Sequence, residues 1–174
     1  LAFYKQTLEE HGDLILPALR ASDVSRALKL GKTAAILTVE NLGFIGDDIG
    51  KLDRLEAEGV RMASLVWNFQ NLLASPDLLF KGGEPLFFAS NGEGLTPLGR
   101  RVCERLDELK IIIDISHLSD GGANEILAGR KIPLVASHSN ARGVCGVCRN
   151  LDDETIKKIA DCGGAVGINF CSDF

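Results

Sequence analysis

Two of the three histidines in this 174-residue sequence close successive apolar runs: "IIIDISH" ends at His117 and "IPLVASH" ends at His138. A third run, "TAAILTV" (33–39), is followed directly by Glu40. Two neutral imidazoles and a carboxylate are the donors that a divalent transition metal, zinc above all, takes from a protein. One histidine at the end of a strand is more often a hydrogen-bonded structural group, and one glutamate there is usually solvated. Three such residues at equivalent places in three runs reverse that balance and point to a metal site.

Other reactive residues carry less. His11 in "EEHGD" has the His-x-Asp spacing that metal hydrolases use, but it follows the polar helical run "FYKQTLEE" rather than a strand. A histidine near the negative end of a helix, followed by glycine, explains it better. Arg149 and Arg142 lie on the loop after His138, where a guanidinium fork could clamp a carboxylate. From residue type alone, a surface arginine is the better reading of Arg149, and Arg142 competes for the same role. Asp114 sits inside "IIIDIS", which suits a supporting part rather than a catalytic one. The five cysteines are odd in number and lie mostly within apolar patterns, which predicts reduced thiols, no disulfide framework and a cytoplasmic setting. Cys145 and Cys148 lack the second pair that a zinc ribbon needs, so they read as loop cysteines without a role.

The elements that must position these groups alternate along the chain. Helical spacing and cap signals predict helices over 22–32, 47–59, 96–110, 119–129 and 151–162. Leu1 also begins inside a helix-like stretch without an initiator Met, which suggests a fragment or a processed chain. Strand-like runs cover 33–39, 60–67, 111–117, 132–138 and 165–170. Strands apolar on both faces and separated by single helices form a parallel sheet. In such α/β architectures the ligand lies beyond the C-terminal ends of the strands. Glu40, Trp67-Asn68, His117, His138 and Asn169 all fall there, so Glu40, His117 and His138 should meet on one rim. The segment 68–95 is too long for an ordinary connection and reads as a functional loop or lid. A net charge of −5 without a basic stripe argues against nucleic acid, and no apolar run reaches the length that spans a bilayer.

Four segments in this order, "GLTPLGRRVCERLDELKIIIDISHLSD", "IPLVASHSNARGVC", "RNLDDETIKKIA" and "GGAVGINF", resemble the membrane dipeptidase (renal dipeptidase) family, peptidase family M19. The segments "AAILTVEN" and "LEAEGVRMASLVWN" are similar to it too, so the resemblance runs from about residue 20 to the end. It implies a (β/α)8 TIM-barrel-type metallo-hydrolase that holds two zinc ions and cleaves dipeptides, including those with a D-residue on the C-terminal side. By motif, Glu40 stands where the catalytic carboxylate bridges both metals, and His117 and His138 stand where two histidines bind one of them. Arg149 of "CRNL" matches the residue that grips the substrate's terminal carboxylate. Trp67 stands where the animal enzymes carry a histidine that helps stabilise the oxyanion; an indole can donate a hydrogen bond but cannot accept a proton, so Trp67 is expected only to touch substrate. The sequence also reads "ENLG" where the family usually has Gly-Gly after the bridging glutamate.

The family's His-x-Asp pair would lie before Leu1 and its catalytic aspartate after Phe174. The expectation is therefore a single domain over 1–174, a partial barrel of about five parallel strands and an internal fragment of a longer dipeptidase, inactive alone. A dipeptide substrate and a second copy of the chain are the partners this reading allows; nucleic acid and a membrane anchor are not expected in the segment. Two other readings stay open: another barrel amidohydrolase acting on acylated amino acids or lactones, and a non-catalytic module that has lost its metal.

Overall fold

Residues 1–89 and 91–174 are described by the computed structural model. The chain opens with α1 (Ala2–Glu10), β1 (Ile15–Pro17) and α2 (Ala21–Lys29). The apolar run that follows divides into β2 (Thr33–Ala35) and β3 (Leu37–Val39). A 3-10 turn (Leu42–Ile45) and α3 (Lys51–Ala57) lead to β4 (Val60–Ser64). Next come β5 (Leu79–Lys81), β6 (Glu84–Leu86) and α4 (Pro97–Glu108), then β7 (Ile112–Asp114) and α5 (Asp120–Leu127). The last elements are β8 (Val135–Ala136), α6 (Asp153–Asp161) and β9 (Ala165–Val166).

The helices begin where their cap residues lie. Thr96 Oγ1 accepts the Gly99 N–H at 3.0 Å and Pro97 takes the first turn. Ser119 Oγ accepts from Gly122 at 3.1 Å, and the Asp152 carboxylate accepts from Thr155 at 2.6 Å. Each removes one of the orphan N–H groups of a first turn. In α2 the cap signal sits one turn further in than the sequence suggests: Asp23 is the third helical residue, and its carboxylate accepts the N–H groups of Leu19 and Arg20.

Strands β3, β4, β7, β8 and β9 form one sheet in that order, and every pairing is parallel. The strands are shorter than the apolar runs that announce them. The ladder between β7 and β8 is a single pair, Asp114 opposite Val135, because the chain then turns to deliver the Ser-His pairs. The run 33–39 is not one strand. Its first half pairs with β1 and its second with β4, and Ile36 between them is 52% exposed. The core lies between the sheet and the helices on one side of it. Val102 and Leu106 of α4, Leu52 of α3, Ile126 and Leu127 of α5 and Ile159 of α6 join Ile113, Ile115, Leu134 and Ala136 there. Each fully buried aliphatic side chain contributes roughly 1.5–3 kcal/mol.

The 68–95 segment is packed down rather than free. Leu73, Ala74 and Leu78 are buried, and Thr96, Ser119 and Asp77 donate their N–H groups to Leu73 O (2.9 Å), Ser75 O (3.1 Å) and His117 O (2.8 Å). Its middle is an antiparallel hairpin, β5 against β6, turned at Gly82 and Gly83 with φ of +61° and +89°. That backbone is the two-residue turn whose twist matches the strands and which glycine adopts without strain.

Candidate metal centre

The C-terminal ends of the strands carry the three ligand candidates. Glu40 follows β3, and its rim is fixed by Asn41. Asn41 donates its N–H to Ser64 Oγ at 3.0 Å and accepts from Gly43 N–H and Asn71 Nδ2, each at 3.0 Å. Asn41 has φ +68°, the left-handed region that glycine favours and that asparagine tolerates best among other residues. Asn41 of "ENLG" thus holds a backbone that glycine would also adopt.

His117 lies three residues past β7, also in the left-handed region at φ +68°, and its side chain is 8% exposed. Histidine in that conformation is uncommon and costs of order 1–3 kcal/mol, a strain typical of functional sites. His138 lies two residues past β8. A carboxylate beneath the two histidines ties their loops together. Asp114 Oδ1 accepts the N–H groups of Ser116 and Ser137, each at 2.9 Å, and Asp114 Oδ2 accepts the Ser137 hydroxyl. The same Ser137 Oγ lies 2.7 Å from His138 Nδ1, and the His138 N–H donates to Ser116 Oγ at 3.1 Å. Asp114 therefore supports both histidines without touching the ligand cluster.

The outcome is convergence. His117 Nε2 and His138 Nε2 are 2.9 Å apart, and Glu40 Oε1 lies 3.2 Å from the first and 3.4 Å from the second. One ligand atom from each residue falls within 4.8 Å of the other two, the one such group of three or more among the described residues. Burial, then the nearby Arg149 charge and His138, push the His117 imidazole down to about 3, so it is neutral and its lone pair is available. The donor types and spacing fit a divalent cation. A cavity of about 170 Å³ lined by Thr38, Val39, Glu40, Met62, Asp114, Ser137 and His138 opens beside the cluster. Larger apolar cavities lie around Ile36, Ile112 and Lys110, at the starts of the strands.

The other sequence candidates separate by geometry. Trp67 is 42% exposed and its ring centre is 6.3 Å from that of His117. Arg149 is 2% exposed. It donates through Nη1 to Ser139 Oγ (2.8 Å) and through Nη2 to the His138 carbonyl (2.9 Å), beneath the ring of Phe174. Arg142 is structural: its fork grips Asp120 at 2.8 and 2.9 Å and also donates to the carbonyls of Cys148 and Asn150. His11 is exposed at the C-cap of α1, and its N–H donates to Thr7 O. Asn169 exchanges hydrogen bonds with Asn140. Sequence reasoning passed over Asp77, which is buried 3.6 Å from Arg149; burial pushes its carboxyl up to about 6 against the pull of that arginine. An aspartate inside the apolar stretch "ASPDLLF" is the signal that could have drawn notice.

The whole chain, residues 1–174, matches the family model for membrane dipeptidase (Peptidase family M19). A Klebsiella pneumoniae protein named "Uncharacterized protein in pqqA 5'region" is 32% identical over 174 residues, which is all of this chain and 63% of that protein. A metallo peptidase from Rhodobacter sphaeroides, solved with a phosphinate mimic of the dipeptide L-Ala-D-Ala, is 30% identical with a TM-score of 0.88, covering 99% of this chain and 48% of its own. The probable dipeptidase PvdM from Pseudomonas aeruginosa is 32% identical with a TM-score of 0.83, covering 94% and 40%. The chain thus spans less than two thirds of each of these relatives. Its five-stranded parallel sheet is the corresponding part of a (β/α)8-type barrel. No helix among the described residues is long and apolar enough to cross a membrane. With candidate metal ligands on three strand ends and a family match over its full length, the chain belongs to the membrane dipeptidase family, peptidase family M19.

Proposed function

We propose that this chain forms the metal-binding part of a zinc-dependent dipeptidase. The observation that carries the reading is the approach of Glu40 Oε1, His117 Nε2 and His138 Nε2 to one another at the ends of three parallel strands. Zinc held there would draw the pKa of a coordinated water towards neutrality and polarise a peptide carbonyl. Glu40 contributes Oε1 on the histidine side and has Oε2 for a second cation, which suits a bridging carboxylate. His117 and His138 offer Nε2 lone pairs, and Ser137 beside His138 Nδ1 fixes that ring's orientation.

The same reading gives Arg149 the substrate's terminal carboxylate. Each of its two Nη groups donates one hydrogen bond within the protein and keeps a second N–H. Trp67, beside His117, supplies an aromatic surface and an indole N–H to the substrate. The dipeptide class is supported by the phosphinate dipeptide mimic on the Rhodobacter relative.

The test is metal content and hydrolysis of L-Ala-D-Ala by the full-length protein. Bound zinc, activity lost on chelation and regained on adding Zn²⁺ would support the reading. A protein that binds no metal, or that cleaves the dipeptide equally well after exhaustive chelation, would sink it.

A further inference from the structure

Three buried polar atoms close to the ligand cluster lack any hydrogen-bond partner: Asp77 Oδ1, His117 Nδ1 and Arg149 Nε. Buried groups of this kind are rare and call for a specific account. The three residues that carry them line the same small cavity, with Ile115, Leu118 and Ser139 completing much of its wall. Its volume is about 10 Å³, the space of a single water molecule.

The three atoms are complementary to one water. As a cation ligand through Nε2, neutral His117 carries its proton on Nδ1 and is a donor there. Arg149 Nε–H is a donor in every state, and Asp77 Oδ1 is an acceptor. A water that accepts from both nitrogens and donates to the carboxylate satisfies all three at once. A direct bond does not replace it, because Arg149 Nε and Asp77 Oδ2 are 3.6 Å apart, beyond hydrogen-bond range. The parts are held firmly. The Asp77 N–H donates to the His117 carbonyl at 2.8 Å, Pro76 bridges to Leu118, and Asn91 Nδ2 donates to Pro76 O at 2.8 Å.

We propose that Asp77 is a positioning residue: through one ordered water it fixes His117 with its proton on Nδ1 and its Nε2 lone pair aimed at the cation. The inference rests on the metal reading above, and it gives the long segment between β4 and α4 a defined task, since Asp77 reaches His117 from there. Nδ1 of His138 faces Ser137 directly, so the two histidines are oriented by different means, one by a hydroxyl and one by a water.

The decisive measurement is made on metal-free full-length protein. Nitrogen-15 NMR of labelled histidine distinguishes the two ring tautomers. His117 is expected as the Nδ1–H form in the unmutated protein and in Asp77→Asn, which keeps a carbonyl acceptor of the same size. In Asp77→Leu the preference is expected to be lost. Affinity for Zn²⁺ should fall about 10–100-fold in Asp77→Leu, the range for losing an outer-sphere partner, and stay within about threefold in Asp77→Asn. A crystal structure of Asp77→Asn or of the unmutated protein should show a water within hydrogen-bond distance of all three residues. An Nε2–H tautomer in the unmutated protein, an unchanged tautomer and affinity in Asp77→Leu, or a dry cavity would overturn the inference. If the unmutated protein bound no Zn²⁺, the metal reading would fail instead, while the tautomer result would still decide the role of Asp77.

Discussion

His117 Nε2 and His138 Nε2 face each other at 2.9 Å, although 21 residues, a helix and a strand separate them in the chain. Both approach the same oxygen of Glu40. Three lone-pair donors gathered at such distances repel one another unless a positive charge lies between them. The fold holds them there through the ends of β3, β7 and β8.

Removing any one donor should therefore disable the whole site. His117→Ala, His138→Ala and Glu40→Gln are each expected to lower Zn²⁺ affinity and kcat/KM on L-Ala-D-Ala by more than ~100-fold, beyond what losing an outer-sphere partner does. Metal content by mass spectrometry and the rate on the dipeptide check this; a variant keeping full rate would exclude its residue from the site.

Asp114 should matter to both stability and metal. Asp114→Ala would leave the Ser116 N–H, the Ser137 N–H and the Ser137 hydroxyl without their acceptor in a buried place, at a cost of about 3 kcal/mol. It also frees Ser137 to turn from His138. The expected result is a lower urea midpoint together with weaker Zn²⁺ binding. Unchanged stability would mean that solvent reaches those donors.

Gly167 marks where β9 leaves the sheet next to the site. A Cβ there would lie 2.0 Å from the Ser137 carbonyl oxygen, and the Gly167 N–H donates to Ala136 O at 2.8 Å. Backbone cannot yield as a flexible side chain does, so Gly167→Ala should destabilise the protein by about 1–3 kcal/mol and displace the His138 loop. Thermal unfolding and Zn²⁺ affinity should fall together.

Cys103 gives an alkaline signature. Burial in α4, then the charge of Asp107, push its thiol up to about 12 from an ordinary 9.0. The folded state thus binds more protons than the unfolded state between those values. Its contribution to stability is complete below pH 9 and is lost as pH rises from 9 towards 12, at up to ~1.4 kcal/mol per pH unit. Cys103→Ala should flatten that slope in urea titrations at pH 8, 9.5 and 10.5. In the native protein at pH 8, exposed Cys171 should react with iodoacetamide well before Cys103.

The five strands of the main sheet were legible because their runs combine β-branched residues with flanking turn residues, and the rim positions of Glu40, His117 and His138 followed from strand direction alone. Strand length was less legible. A run such as "IPLVASH" stays apolar past the point where the ladder stops, because its last residues are buried against the helices and the loops. The split at Ile36 depends on a partner, β1, whose three residues, Ile15–Pro17, are too few to stand out. The hairpin at "FKGGEPLF" did carry its signal in the paired glycines. Asp77, the Ser116–Ser137–Asp114 ties and the burial of Arg149 depend on contacts between distant segments, which no local pattern encodes.

The left-handed backbone at His117 sets the terms on which this position can change. Alanine there would keep the conformational penalty and lose the imidazole, whereas asparagine or glycine would ease the backbone while abolishing the ligand. A descendant of this fold that gave up its cation would thus drift towards those two residues, and their presence after an "IDIS" strand would mark a lineage that exchanged chemistry for an easier turn.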